Sequence, residues 1–195
     1  MTVPDVVTHY YLADRRPFLN LSDLDDQALG QVLAELDSLR RSGSQHRPFG
    51  PKYMTLRRLT EARLRALFIE AGGKPERVAP HYFVLGDSPW YQQLATRMHQ
   101  VQLPLSALPS DKTSITYPDS FGAMELGTEF GLAQQRKPYH GRLFLLEELP
   151  ALTEQFGIPS PAWNDEHEKS WTSWPDETYV EVQLWSDEPV RSYLV

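Results

Sequence analysis

Apolar residues return along this chain with two different rhythms, one near 3.6 residues and one of 2, and the two rhythms divide it into helices and strands. Leu29, Val32, Leu33, Leu36 and Leu39 recur at the helical spacing. They predict a helix opened by Ser22 as N-cap, with Asp25 at the capping-box position and Arg40 and Arg41 suiting its C-terminal dipole. A second helix is predicted over roughly Tyr53 to Ala71, burying Leu56, Leu59, Leu67 and Phe68 and ending at Gly72-Gly73, where glycine accepts a left-handed cap. Arg57, Glu61 and Arg65 stand one turn apart on its opposite face.

Extended segments follow a different pattern. His81 to Leu85 is aromatic and β-branched, too short for a helix, and apolar on both faces, which predicts an internal strand. Tyr179 to Trp185 alternates, with Val180, Val182 and Leu184 on one face and Tyr179, Glu181, Gln183 and Trp185 on the other. Further strands are predicted at His9 to Leu12, Val101 to Leu108, Thr113 to Tyr117 and Gly141 to Leu146, Pro104 placing the second of these at an edge or bulge. Ser88 and Pro89 open a short helix near Trp90 to Met98. Other helices are expected at about Ser120 to Gln135 and at Leu146 to Phe156, before a loop rich in proline, tryptophan and charge from Ile158 to Pro175. Together these elements predict a single α+β domain over residues 1–195, a mixed or antiparallel twisted sheet with flanking helices.

Composition narrows the picture in three ways. The absence of cysteine removes disulfides, thiolate metal sites and cysteine nucleophiles. No apolar run approaches the roughly 18 residues of a membrane span, and MTVPDVV lacks the layout of a signal peptide, so no membrane contact and a cytoplasmic location are expected. A net charge of −7 argues against non-specific nucleic-acid binding by the whole surface. The charge is uneven, however. Residues 40 to 79 carry ten basic and three acidic side chains, a net +7, so the remainder carries −14. A basic cleft for a phosphate-bearing ligand and a merely solvated basic helix face both fit that asymmetry.

Candidate chemistry centres on Glu181. A carboxylate flanked on its own strand face by Tyr179, Gln183 and Trp185 belongs to a polar-aromatic cleft wall or to an ordinary solvent-facing sheet. Arg57 and Arg58 could clamp a diphosphate through the guanidinium fork, but neighbours on a helix diverge by about 100°, so one of the two is expected in a cleft. The other reading of Arg57 is a solvated charge ladder with Glu61 and Arg65, worth only about 0.3 to 0.5 kcal/mol per pair. His9, His81 and His140 could each contact a ligand or carry a proton, or be satisfied by a nearby backbone group. No spacing fits a metal site, and no metal is expected.

Taken in order, THYYLAD, MTLRRLTE, APHYFVLGDSPWY, VQLPLSAL, SITYPDSF and YVEVQLWSDEPV resemble the segments of the DarT-type ADP-ribosyltransferases, which use NAD to modify bases in single-stranded DNA. The resemblance spans most of the chain, with TYPDS standing where the family has F-T-D-G-N. It implies an ADP-ribosyltransferase-like fold, NAD as substrate, Glu181 as the catalytic glutamate and Arg57 or Arg58 as the arginine that helps hold NAD. His9 or Tyr10 would lie on the nicotinamide-side strand, with Tyr10 or Tyr82 packing the nicotinamide. Nucleic acid is then one acceptor class. The alternative is a non-catalytic module with this fold that binds an ADP-ribose-like ligand or a protein partner through the Trp163, Trp171 and Trp174 loop.

Overall fold

Every strand that the alternating segments form lies antiparallel to its neighbours in one six-stranded sheet. The computed structural model describes residues 2–124, 136–160 and 177–194. Its strands are β1 (Val6–Leu12), β2 (His81–Leu85), β3 (Met98–Pro104), β4 (Thr113–Thr116), β5 (Phe144–Leu145) and β6 (Glu181–Leu184). They are ordered β3-β1-β2-β6-β4-β5. The doubly apolar β2 is internal, as its composition predicts, between β1 and β6. The helices are α1 (Asp26–Arg41), α2 (Tyr53–Glu70), α3 (Pro89–Gln92), α4 (Ser120–Ala123) and α5 (Leu149–Phe156). Among the described residues no helix is long and apolar enough to cross a membrane.

Each face of the sheet has its own core. Val7, Phe83, Leu85, Ile115, Val182 and Leu184 pack on one face with Phe18, Leu149, Leu152 and Val190. On the other, Trp185 meets Leu64 and Phe68 of α2 and Ala123 and Met124 at α4, while Tyr10 and Val84 meet Trp90, Leu94 and Tyr179. Burial on both sides follows from the position of β6 at the centre of the sheet. Glu181, Gln183 and Trp185 are all buried, so the solvent-facing reading of their strand face is overturned.

Local chemistry sets the boundaries. Helix α2 ends in a Schellman motif: Gly73 N–H donates to Phe68 C=O at 2.8 Å and Gly72 N–H to Ile69 C=O at 3.0 Å, with Gly72 at φ +96°. Ser88 caps α3 by accepting from Tyr91 N–H, with Pro89 in the first turn, but that helix stops at Gln92, well short of the expected Met98. The first helix also starts later than predicted. Leu21–Asp23 forms a separate 3-10 turn capped by Asn20, and Asp25 rather than Ser22 caps α1, accepting from Ala28 N–H. Strand β3 runs at the sheet edge, starting three residues before the expected span and ending at Pro104, four residues short of its expected end.

The largest correction concerns the face of α2. Leu59 was expected inside and is 59% exposed, whereas Glu61 was expected outside and is buried. The inward stripe is Leu56, Thr60, Glu61, Leu64 and Phe68, because the N-terminal half of the helix covers a polar hollow instead of an apolar core. Helical periodicity identifies a stripe but assumes that the buried one is apolar. The expected helix after Ser120 is described only to Met124, and its remainder, like Trp163, Trp171 and Trp174, lies outside the described residues.

Candidate functional site

The hollow begins where β1 leaves β2. These strands pair only at Val7 with Leu85 and Thr8 with Val84, whereas β1 stays paired with β3 through all seven of its residues. Leu85 N–H donates across to Val180 C=O and Gly86 N–H back to Val6 C=O, so the main-chain groups of Val84 and Tyr82 are turned toward β1. Past Val84 the ladder is missing, and a side chain replaces it. His9 Nδ1 lies 2.9 Å from Tyr82 C=O, and Phe18 N–H donates to His9 Nε2 at 2.9 Å. Because Nε2 accepts from a main-chain donor, Nδ1 carries the proton, and the imidazole is neutral with both nitrogens occupied. Burial pushes its pKa down to about 4, and Phe18 stacks on it at 4.1 Å. The backbone-satisfied reading of His9 therefore holds, and proton transfer is not open to it.

The forked strands, α2 and the loop before α2 enclose a hollow of about 170 Å³. Glu181, Arg57, Tyr82, His9 and Tyr10 all line it. Arg58 does not: its side chain is 50% exposed and points toward α1, 3.7 Å from Asp26. Of the adjacent pair, only Arg57 enters the hollow.

Glu181 stands at the end of a buried row of donors. Trp185 Nε1–H donates to Ser114 Oγ at 2.8 Å, Ser114 Oγ–H to Gln183 Oε1 at 2.8 Å, and Gln183 Nε2–H to both Thr116 Oγ1 at 2.8 Å and Glu181 Oε1 at 3.0 Å. These partners share one sheet face because Ser114 pairs with Gln183 and Thr116 with Glu181 in the β4–β6 register. Burial pushes the Glu181 carboxyl up to about 7, and the charge of Asp119 adds to the rise. Hydrogen bonds from Gln183 and Ser120 and the charge of Arg57 oppose it. Asp119 is held by its own role as N-cap of α4, accepting from Phe121 N–H at 3.0 Å and Gly122 N–H at 3.1 Å, and burial raises its pKa also.

The cationic wall is more elaborate than a single arginine. Arg57 Nη1 donates to Tyr53 Oη at 3.0 Å, and its guanidinium centre lies 4.4 Å from the centroid of the Tyr82 ring. Its Nε is 3.1 Å from Glu61 Oε1 without the alignment of a hydrogen bond, and Tyr82 Oη–H donates to the same oxygen at 2.9 Å. One face of Tyr82 is therefore already covered by Arg57. Arg47 also lines the hollow, donating to Tyr91 Oη at 3.2 Å and Tyr53 Oη at 3.3 Å. Two guanidinium groups thus converge on one phenol oxygen. Among the described residues Arg47 forms no salt bridge; its hydrogen bonds go to neutral hydroxyls, aromatic rings flank it, and the Asp119 carboxylate acts on it through space.

Tyr10 lines the hollow with its ring, stacked on Tyr91 at 5.1 Å, while its hydroxyl accepts from Ser88 N–H at 2.9 Å. His81 is tied to Asp187, Nε2 to Oδ1 at 2.8 Å, and Arg77 clamps Asp187 and Asp23. Lys137 N–H donates to His140 Nδ1 at 3.1 Å. Sequence alone gives Arg47 and Tyr53 no role, and it names Gln183 only as a neighbour of Glu181 and Asp119 only within the TYPDS turn. For Asp119 the signal was present, since Asp-Ser after proline is a capping pattern, but for Arg47 a turn-rich loop offers no periodicity. Comparison of this chain with protein-family models, with curated proteins and with solved structures finds no match in any of the three.

Proposed function

We propose that the chain is an NAD-consuming ADP-ribosyltransferase in which Glu181 stabilises the ribosyl cation. The observation that carries the reading is that a buried carboxylate on the central strand and a guanidinium from α2 line one hollow. The order of motifs along the chain supports it from the sequence side. In the reaction the bond between ribose C1′ and the nicotinamide nitrogen breaks, and its electron pair leaves with neutral nicotinamide. The positive charge left on the ribose is countered by the Glu181 carboxylate in a water-poor site, where such an interaction is strong. An acceptor nucleophile then bonds to C1′ and gives up its proton. Arg57 holds an anionic part of the dinucleotide, and the ring of Tyr10 supplies a flat apolar wall for the nicotinamide.

Glu181 acts in its ionised form, so activity rises with pH through about 7, where its carboxyl loses the proton. The experiment is nicotinamide release from NAD by the chain and by Glu181→Gln. Equal rates for the two proteins would remove the mechanism.

Arg47 and Arg57 beside the rings of Tyr10 and Tyr91 also fit a second reading, a pocket that binds an ADP-ribose-like ligand without turnover. Under it, ADP-ribose raises the melting temperature while NAD incubated with the chain stays intact.

A further inference from the structure

A hollow of about 170 Å³ is smaller than the roughly 300 to 1,000 Å³ typical of a site that encloses a whole organic ligand. A second hollow of about 190 Å³ adjoins it, and seven side chains, Arg47, Phe49 and Tyr91 among them, line both. Its remaining walls combine apolar side chains, Val32 and Leu36 of α1 with Leu94 and Met98, with the polar Gln45 and the cations Arg15 and Arg16. We infer that it seats the adenosine end of NAD, so that one dinucleotide spans both hollows with its diphosphate crossing Arg47. This rests on the functional reading above and adds the placement of the ligand.

Three independent features agree with the assignment. The combined space reaches the size of an organic-ligand site, which neither hollow reaches alone. A purine has flat apolar faces and a polar rim, and the second hollow offers aliphatic walls with Phe49 and Tyr91 at its inner end and Gln45 among its polar lining. At the junction stands Arg47, a partly buried guanidinium whose described hydrogen-bond partners are two phenols. A cation whose direct partners are neutral acceptors, with Asp119 acting on it only through space, has donors to turn toward an incoming anion, and a diphosphate provides oxygens that fit its planar fork. Elsewhere in the second hollow Arg15 is paired with Glu35 and Arg16 is exposed, so the partly buried Arg47 at the junction is the anion site least screened by solvent.

The test is calorimetric titration of the full chain with NAD, AMP and nicotinamide mononucleotide, repeated on Val32→Trp and Val32→Ala. Val32 is only partly buried, and an indole at its position fills the second hollow without entering the first. The expected result is a loss of about tenfold or more in affinity for NAD and AMP with Val32→Trp, equivalent to about 1.4 kcal/mol, and nicotinamide mononucleotide unchanged within about twofold. Melting curves establish that the variants fold. On the unmodified chain, saturating nicotinamide mononucleotide should leave AMP binding intact, a measurement that needs no variant. Competition between the two mononucleotides, or NAD bound equally well by a folded Val32→Trp, would overturn the inference while leaving the transferase reading in place. Failure of the unmodified chain to bind NAD removes both.

Discussion

Replacing Glu181 by glutamine should stabilise the fold at neutral and alkaline pH and do little at acid pH. The carboxyl is buried, with its pKa at about 7 against an ordinary 4.5, and the two differ by about 2.5. At 1.36 kcal/mol per pKa unit the ionised side chain costs the native state on the order of 3 kcal/mol. The sign follows from proton counts. Below pH 4.5 both the folded and the unfolded chain hold the proton, and no cost exists. Between 4.5 and 7 the unfolded chain gives up its proton first, so stability falls as pH rises, and above 7 the cost is constant. Glutamine has the same shape, keeps an oxygen to accept from Gln183 Nε2 and cannot ionise.

The assay is urea unfolding of both proteins at about pH 4.5, 6 and 8, comparing midpoints at constant slope. His9 titrates in an overlapping window with the opposite sign, because its pKa of about 4 lies below the ordinary 6.5 and its contribution is lost as pH falls. It is common to both proteins and cancels in their difference. The advantage of Glu181→Gln should therefore grow by about 3 kcal/mol from the lowest pH to the highest. A difference that stays flat across the series would show that Glu181 is not held in a charge-disfavouring environment.

Arg57→Met should abolish the stabilisation of the chain by NAD, whereas Arg58→Met, which loses only a partly exposed contact with Asp26, should leave it within about 1 °C, as read by thermal melting. Gln183→Leu strands the Ser114 hydroxyl and frees the Glu181 carboxylate, so nicotinamide release should drop by about tenfold or more with NAD affinity little changed, read as kcat against KM. His9→Gln should flatten the loss of stability between pH 6.5 and 4, followed by urea midpoints, because the replacement cannot be protonated. Gly72→Ala places a side chain at φ +96° and should cost about 1 kcal/mol in the same unfolding assay.

What could be read from residues alone was governed by how local each determinant is. The internal position of β2, the glycine end of α2 and the N-cap of α3 all depend on neighbours within a few residues, and each was recoverable. The orientation of α2 was not. Its apolar residues define more than one stripe, and the one turned inward carries Glu61 because the helix covers a cleft formed by strands far away in sequence. Glu181 could be picked out as a charge among aromatic neighbours, but its burial depends on β6 lying between β2 and β4, which pairing alone decides. Arg47 joined the site through a loop, and its partners Tyr53 and Tyr91 are 6 and 44 residues away. No periodic pattern records such a meeting.

The divergence of β1 from β2 has a consequence for how the cavity could be lost or reshaped. Its width is set by one imidazole wedged as a spacer between two backbones, anchored at both ends. A shorter residue at that place would let the strands zip together, erasing the chamber without altering a single reactive group. In this architecture the dimensions of the binding space and the chemistry inside it can therefore evolve separately, through different amino acids.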